Sequence, residues 1–324
     1  MLATDFVLLT GFLGSGKTTL LVDFLRQPEA ADTAVIVNEV GQIDIDGAVI
    51  AADTGGLPMA LLANGCVCCS IANDLLYTVE ALIATREASG QTPFRRIILE
   101  CSGLARPGPI IRALGELAPL GMRLSVVAAC DATAAPFGAA TFETAAAQIA
   151  AAGTLVLTKL DQACGIALAE RLRGINPLAA LVVEPDPALR ALAAFTAEPA
   201  VGKPDLPGIG HPRVAVMTAQ IGAVALHAIL EWLENLAGLA GDRMLRIKGV
   251  VRPSDTGCCV LFQAVGTAHS QPRPFDGPAE GLVIIAHDLL PEEIMAMQPD
   301  FPVRLHTKAA GPFQAAAAQR LIAS

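Results

Sequence analysis

Short apolar runs alternate with segments of helical spacing through the first two-thirds of the chain. Five runs have the length of strands and consist mostly of Val, Ile, Leu and Ala: Phe6–Leu9, Ala34–Val37, Arg96–Leu99, Leu124–Ala128 and Thr154–Leu157. Helical spacing recurs near residues 17–27, 72–88, 108–117, 139–151 and 162–173. Alternation of this kind is typical of βαβ units. The pattern therefore predicts an α/β fold with a mostly parallel sheet that helices flank on both faces.

The pattern changes after residues 198–212, a stretch rich in proline and glycine that predicts a linker or a long surface loop. Beyond it an amphipathic helix is predicted around Val224–Leu236, and strand-like runs occur at Val214–Thr218, Met244–Val251, Cys258–Val265 and Gly281–Ala286. We therefore expect a first domain over residues 1–197 and a smaller α+β domain over residues 213–324.

Charge and composition argue against two classes of partner. The net charge is −9 and no basic stripe occurs, so nucleic acid is not expected. The hydrophobic content of 53% is largely alanine, and the apolar runs end at Gly, Pro or a charge before they reach the length of a membrane span. The first residues lack the basic region of a signal peptide. We therefore expect a cytoplasmic protein that contacts neither nucleic acid nor membrane.

The segment Gly11–Thr18 reads GFLGSGKT and fits the phosphate-loop pattern GxxxxGK[ST] at every fixed position. A strand pattern precedes it and a helical pattern follows it, which is the setting that the motif requires. Glycines let main-chain N–H groups turn toward an anion, and the helix N-terminus adds partial positive charge. We expect Lys17 to reach the β- and γ-phosphates and the Thr18 hydroxyl to bind Mg²⁺. The loop residues that surround the phosphates are then Gly14, Ser15 and Gly16.

Two further loops follow strands of the predicted sheet, where ligands of α/β proteins gather. After the second strand, Glu39 and Asp44 lie where GTPases sense the γ-phosphate, and each is a candidate for binding Mg²⁺, positioning water or contacting a transferred metal. A simple polar turn is the alternative for that segment. After the third strand, Glu100 stands in the position of a Walker B carboxylate for Mg²⁺, and Gly103 lets the main chain approach the γ-phosphate.

The segment Thr158–Asp161 follows another apolar run and is similar to the NKxD loop with which GTPases recognise guanine. In that loop the Asp accepts hydrogen bonds from the ring N1–H and the exocyclic amine, while the Lys stem packs on the base. Lys159 and Asp161 are retained, and Thr158 replaces the Asn. The segment therefore favours GTP over ATP as the nucleotide.

Cys66, Cys68 and Cys69 place three thiols within four residues. Close thiolates bind Zn²⁺ and other borderline metals such as Co²⁺, and three protein ligands leave a fourth position open for release of the metal. The same thiols would also suit a fixed structural zinc site, a redox-sensing cluster or inert packing. The remaining cysteines are expected to be buried packing residues: Cys101, Cys130, Cys164, Cys258 and Cys259.

These motifs together resemble the CobW family of GTPase metallochaperones, relatives of the urease and hydrogenase accessory GTPases. The segments that carry the resemblance come in the family's order: Gly11–Thr19, Asn38–Gly41, Gly65–Cys69, Glu100–Ala105, Thr158–Asp161, Leu245–Gly249 and Gly281–Ile285. The resemblance implies slow GTP hydrolysis coupled to insertion of zinc or cobalt into a client metalloprotein. It also implies a nucleotide-dependent active form, for which a homodimer is one candidate.

The resemblance also implies roles for individual residues of this chain. Lys17, Glu39 and Glu100 become the catalytic residues, and Thr18 joins Glu100 in the Mg²⁺ site. The ligands of the transferred metal become Cys66, Cys68 and Cys69. The nucleotide-binding residues become Gly14, Ser15, Gly16, Lys17, Thr18, Thr19, Gly103, Lys159 and Asp161.

Three features depart from the family's pattern. Thr158 stands where many members have Asn, Cys101 stands where Thr is usual, and the histidine-rich tract that many members carry between domains is absent.

Two other functions also stay open at this point. One is a P-loop enzyme that acts on a small metabolite and holds a structural zinc ion. The other is a nucleotide-binding module whose three close thiols sense redox state.

Overall fold

In the computed structural model of the protein, the described residues are 4–38, 59–61, 71–115, 120–134, 138, 141–197, 211–279 and 281–307; for 38, 59–61 and 71–74 only the backbone is described. The chain divides into two compact units. One contains Met1–Ala169 with Leu178–Ala200, and the other contains Glu170–Pro177 with Val201–Ser324. The predicted linker falls almost wholly outside the described residues, so the domain boundaries at 197 and 213 stay a prediction.

Seven strands form the sheet of the first unit: β1 (Asp5–Thr10), β2 (Thr33–Asn38), β3 (Met59–Leu61), β4 (Arg96–Cys101), β5 (Arg123–Asp131), β6 (Thr154–Thr158) and β7 (Ala180–Val182). Their order is β3-β2-β4-β1-β5-β6-β7, and every pair is parallel. The predicted parallel sheet is confirmed. The two edge strands, β3 and β7, have three residues each and are too short for an apolar pattern to predict.

Six helices are described between or after these strands: α1 (Lys17–Leu25), α2 (Ile71–Ala88), α3 (Pro107–Leu114), α4 (Phe142–Ala151), α5 (Ile166–Ile175) and α6 (Pro187–Thr196). Helices α1 and α6 share a buried core with β1, in which the ring centroids of Phe24 and Phe195 are 4.5 Å apart. Helix α6 is absent from the predicted pattern. It begins at Asp186, whose carboxylate accepts a hydrogen bond from the main-chain N–H of Leu189 at 2.9 Å.

Over the described residues between 211 and 307, the second unit is an antiparallel sheet with two helices on one of its faces. Its strands are β8 (Val214–Ile221), β9 (Met244–Val251), β10 (Cys259–Val265), β11 (Ala268–His269), β12 (Arg273–Phe275), β13 (Gly281–His287) and β14 (Val303–Thr307). The order is β11-β10-β9-β13-β8-β14, and β12 pairs with β10. The helices are α7 (Leu226–Ala240) and α8 (Pro291–Met297). Their apolar residues share a core with the sheet around Trp232, which confirms the predicted α+β unit.

No helix in the described part of the chain has both the length and the apolarity that a bilayer crossing requires. The strands that position the candidate site are β1, β4, β5 and β6, which are neighbours at the centre of the parallel sheet. Because parallel strands end at the same edge, the loops that follow these four strands lie together.

Candidate nucleotide site

The phosphate loop connects β1 to α1 and depends on glycine for its backbone conformation. Gly14 and Gly16 have φ of 69° and 83°, in the left-handed region that residues with a Cβ rarely adopt. Gly16 is the N-terminal cap of α1, so the first turn of the helix follows the loop directly. The Ser15 N–H donates to the Phe12 carbonyl at 3.1 Å, which closes the loop on itself. This geometry matches an anion nest at a helix N-terminus.

Two side chains of the loop have groups that can donate hydrogen bonds to an anion. The buried Lys17 ammonium donates to the Gly11 carbonyl at 2.9 Å and to the Phe12 carbonyl at 3.4 Å. The Ser15 hydroxyl is buried, and in the described part of the chain it has no hydrogen-bond partner. Its oxygen would lie 2.7 Å from a Cβ placed on Gly11, so it faces the glycine that opens the loop. Both groups suit a bound phosphate.

Thr18 and Glu100 bring two oxygens together at the edge of the sheet. Glu100 pairs in register with Leu9 of β1, next to the phosphate loop. Its Oε1 accepts a hydrogen bond from the Thr18 hydroxyl at 2.8 Å, and the residue is only 3% exposed. A hydroxyl and a carboxylate are the hard oxygen ligands that Mg²⁺ prefers. The residues present therefore fit Mg²⁺, and their role as its ligands stays a prediction.

The loop after β6 is held by hydrogen bonds to the phosphate loop and to β5. The Thr158 hydroxyl donates to the Ser15 carbonyl at 2.7 Å. Lys159 has a φ of 55° and donates to the Asp131 carboxylate at 2.5 Å. Asp161 lies exposed in the turn that follows. The two predicted guanine-binding residues are thus on one short segment, anchored at its first two positions.

Asp131 is a site residue that the motif analysis misses. Burial alone raises the pKa of this carboxyl, but hydrogen bonds from Lys159 and Thr133 outweigh burial and hold the pKa below its ordinary value. A signal for it exists in the sequence, because Asp131 ends an apolar strand at the same sheet edge as Glu100. Its ion pair fixes the lysine whose stem is predicted to pack on the base.

Gly103 lies against the phosphate loop. A Cβ at this position would lie 2.6 Å from the main-chain nitrogen of Leu13. That is too close for any residue with a side chain, so only glycine fits here. The segment after β4 therefore contacts the loop that is predicted to hold the phosphates. This agrees with the predicted approach of the Gly103 main chain to the γ-phosphate, which stays a prediction.

The predicted cargo site lies outside the described residues. Cys66, Cys68 and Cys69 fall there, as do Glu39 and Asp44. Among the residues that the structure does describe, no group of three or more His, Cys, Asp or Glu side chains could hold a metal ion. The three-thiol site therefore stays a prediction from the sequence.

Three of the other five cysteines are buried as predicted, and two are not. Cys101, Cys130 and Cys259 are buried. Burial raises the pKa of the Cys101 thiol well above its usual range and that of Cys130 to about 12, so both stay protonated at neutral pH. Cys164 and Cys258 are exposed, which makes the prediction for them wrong. Cys164 lies in the loop before α5, and Cys258 lies in the turn before β10, outside the buried part of the strand.

Two family models match the chain. One, described as the CobW/HypB/UreG nucleotide-binding domain, matches residues 5–182. The other, described as the cobalamin synthesis protein CobW C-terminal domain, matches residues 215–297. The matches therefore extend over both units.

Individual relatives agree with the family models. The zinc chaperone YjiA of Escherichia coli is 33% identical over 308 residues, which cover 89% of this chain and 96% of that protein. The zinc chaperone CobW of Pseudomonas aeruginosa is 39% identical over 113 residues, which cover 33% of this chain and 29% of that protein. The crystal structure of Zn(II)-bound YjiA GTPase from E. coli covers 92% of this chain and 98% of its own, with 26% identity and a TM-score of 0.64. The similarity is thus not confined to the phosphate loop.

Proposed function

Because the chain belongs to the CobW/HypB/UreG family, we propose that it is a GTPase metallochaperone that delivers Zn²⁺ to a client metalloprotein. The observation that carries the proposal is the phosphate loop, with the Thr18 hydroxyl bonded to the Glu100 carboxylate at 2.8 Å. It occurs in a chain that is 33% identical to a zinc chaperone over 89% of its length. The loop supports a nucleoside triphosphate as substrate, and the relatives support zinc as cargo.

In the proposed cycle, the phosphates of GTP lie in the loop between β1 and α1. Lys17 exchanges the loop carbonyls for the β- and γ-phosphate oxygens when the nucleotide enters. Thr18 and Glu100 hold Mg²⁺, which when bound neutralises phosphate charge. Asp161 accepts from the guanine N1–H and exocyclic amine, while the Lys159 stem packs on the base. These assignments make GTP the preferred substrate.

Hydrolysis follows the general course of phosphoryl transfer. The oxygen of water bonds to the γ-phosphorus as the bond from that phosphorus to the β–γ bridging oxygen breaks, and this oxygen leaves on GDP with the electron pair. The products are GDP, inorganic phosphate and a proton released to solvent. We assign the positioning of the water to Glu39 and the stabilisation of developing negative charge to Lys17.

The metal switch rests on Cys66, Cys68 and Cys69, which follow the Glu39 segment in sequence. In the proposed cycle GTP draws the Glu39 segment toward the thiolates and raises their affinity for Zn²⁺, and hydrolysis lowers that affinity again. Linkage requires that Zn²⁺ then raises the affinity for GTP by the same factor. This reciprocity lets a separate titration check the same coupling factor from the nucleotide side.

The deciding experiment measures Zn²⁺ affinity by competition with a chromophoric chelator in three states: with a non-hydrolysable GTP analogue, with GDP and without nucleotide. The proposal predicts the tightest binding with the analogue. Equal affinity in all three states would overturn the switch. A repeat with Co²⁺ tests the cargo, because a nucleotide-dependent Co²⁺ site beside a nucleotide-independent Zn²⁺ site would make cobalt the cargo.

Matched cysteine variants test whether these three thiols together bind the metal. The triple substitution Cys66→Ser, Cys68→Ser and Cys69→Ser is expected to abolish nucleotide-dependent Zn²⁺ binding. Cys164→Ser is the control, because this thiol is exposed and lies outside the three-thiol segment. A loss of binding in the control variant alone would assign the metal to a different site. Phosphate release from GTP and ATP, measured on the same preparations, tests the GTPase assignment separately.

A further inference from the structure

A buried glutamine of α4 is bonded to the loop that follows β4. Of the seven buried residues of this helix, six are Phe, Ile or Ala, and the seventh is Gln148, which is 1% exposed. Its Nε2 donates to the Gly103 carbonyl at 3.0 Å and to the Ala105 carbonyl at 3.0 Å. An amide NH₂ group has two hydrogens, so both are used on this one loop. A buried amide is unfavourable unless it is bonded, and this loop supplies the bonds.

The same loop contacts the phosphate loop on another side. The Gly103 main chain approaches Leu13 so closely that a Cβ would lie 2.6 Å from the Leu13 nitrogen. At the end of the segment, Arg106 donates to the Glu143 carboxylate of α4 at 2.7 Å. Helix α4 therefore holds the segment Gly103–Arg106 at both ends, while the segment itself lies against the phosphate loop.

Hydrogen bonds to carbonyls fix the orientation of whole peptide units, because each unit is planar. The bonds from Gln148 fix the peptide unit between Gly103 and Leu104 and the unit between Ala105 and Arg106. The Leu104 side chain is 60% exposed and gives the segment little anchorage of its own. Within the loop, the Ala105 N–H donates to the Ser102 carbonyl at 3.0 Å. The Gln148 amide adds the bonds from a second element that orient the Gly103 and Ala105 carbonyls.

We propose that Gln148 is a positioning residue for the γ-phosphate, acting through the main chain at Gly103. This inference rests on the proposed GTPase function and adds a residue that no motif includes. GDP has no γ-phosphate, so the Gln148 bonds matter for binding GTP and for its turnover but not for binding GDP. Discrimination between the two nucleotides is the quantity that Gln148 controls.

The test compares wild type with Gln148→Met, which keeps the length of the side chain and removes both donors. The expected result is an affinity for a GTP analogue that falls about tenfold, equivalent to about 1.4 kcal/mol, with the affinity for GDP unchanged within about twofold. The kcat for GTP is expected to fall as well, since the γ-phosphate is no longer held in one position. Fluorescent nucleotide titration and phosphate release give these quantities.

Ile149→Ala is the matched control for stability. Ile149 is buried on the same helix, so its truncation destabilises α4 while the Gln148 amide stays in place. The proposal holds if only Gln148→Met changes the ratio of the two affinities. It is overturned if Gln148→Met binds the GTP analogue as wild type does, or if both variants weaken the two nucleotides equally.

Should Gln148→Met fail to fold, hydrogen exchange on the wild-type protein tests the premise of the proposal, which is that the segment bonded to Gln148 responds to the γ-phosphate. Main-chain amides of the segment Gly103–Arg106 are expected to gain protection with the GTP analogue and not with GDP. Equal protection by both nucleotides would overturn the proposal. A wild-type protein that binds neither nucleotide would instead refute the proposed function, which keeps the two failures distinct.

Discussion

The Thr158 hydroxyl donates a hydrogen bond of 2.7 Å to the main-chain carbonyl of Ser15, across 143 positions of sequence. The bond joins the end of β6, which begins the predicted guanine loop, to the loop predicted to hold the phosphates. A Cβ added at Gly16 would lie 3.6 Å from the Thr158 side chain, so the two loops lie close together at this point as well. Thr158 therefore ties the base-binding segment to the phosphate loop, although it stands where the resembled motif has Asn.

Removal of this tether is expected to weaken both nucleotides equally. Thr158→Val keeps the shape of the side chain and removes the donor, which costs about 1 kcal/mol, or about fivefold in affinity. GTP and GDP share the loss, because the bond lies away from the γ-phosphate. Thr158→Ser keeps the hydroxyl and is expected to bind as wild type does. Fluorescent nucleotide titration measures both, and wild-type affinity in Thr158→Val would show that the tether is dispensable.

Asp161 is expected to carry the base selectivity by itself. Asp161→Asn replaces an acceptor of two hydrogen bonds by an amide that presents donors, and GTP affinity should fall about 100-fold. Xanthosine triphosphate carries a carbonyl where guanine has the exocyclic amine, so the same variant should bind it more tightly than wild type does. Competition titrations with GTP, xanthosine triphosphate and ATP check this. An unchanged order of the three nucleotides would assign base recognition elsewhere.

The sequence predicts the centre of the parallel sheet well and its periphery poorly. Buried central strands such as β1 and β6 are continuous apolar runs, so their positions follow from composition. Strand β5 extends to Asp131 because this residue pairs in register with Thr158, a contact that no apolar pattern contains. Helix α6 could have been predicted, since Asp186 and Pro187 form an N-terminal cap with proline in the first turn.

The residues of the candidate site are also of two kinds, those that a local motif predicts and those that only the fold brings together. Motif residues such as Lys17 and Glu100 are recognised because their neighbours in sequence define their setting. The bond from Gln148 to Gly103 spans 45 positions and that from Thr158 to Ser15 spans 143, so each depends on packing between elements. A glutamine inside an alanine-rich helix has no local signal for the loop that it binds. Such residues become visible only when the fold brings the elements together.

Glu100→Gln is expected to impair Mg²⁺-dependent turnover far more than nucleotide binding. The substitution keeps the shape of a buried side chain and removes its charge, which weakens the predicted Mg²⁺ site. Phosphate release from GTP should fall about 100-fold, as for other losses of electrostatic stabilisation at a reacting centre. Binding of GDP in the absence of Mg²⁺ should change little. Glu234→Gln removes an exposed carboxylate of α7 and serves as control; an equal loss in both variants would contradict the assignment of Glu100.

The hydrogen bonds of Asp131 are expected to make the stability of the folded protein decrease at low pH. Burial alone raises the pKa of this carboxyl, but the hydrogen bonds from Lys159 and Thr133 lower the pKa by more than burial raises it. The folded-state pKa therefore lies below that of the unfolded chain. Its stabilising contribution is therefore complete above the unfolded pKa of about 3.9 and is lost as pH falls through the lowered folded value. The difference in Tm between wild type and Asp131→Asn should be constant from pH 7 to about pH 5 and shrink below about pH 4. A difference that stays constant down to pH 3 would contradict this.

Trp232 provides a direct report on the second unit. It is the single Trp of the chain, fully buried, and it stacks on Phe301 with ring centroids 5.1 Å apart and an interplanar angle of 7°. Phe301→Ala should destabilise this core by about 3–5 kcal/mol, which lowers the urea midpoint of Trp fluorescence. Because the core belongs to the second unit, affinity for GDP without urea should stay at the wild-type value. Met295→Ala, at an exposed position of α8, is the matched control. A loss of GDP affinity in Phe301→Ala alone would show that the nucleotide site depends on the second core.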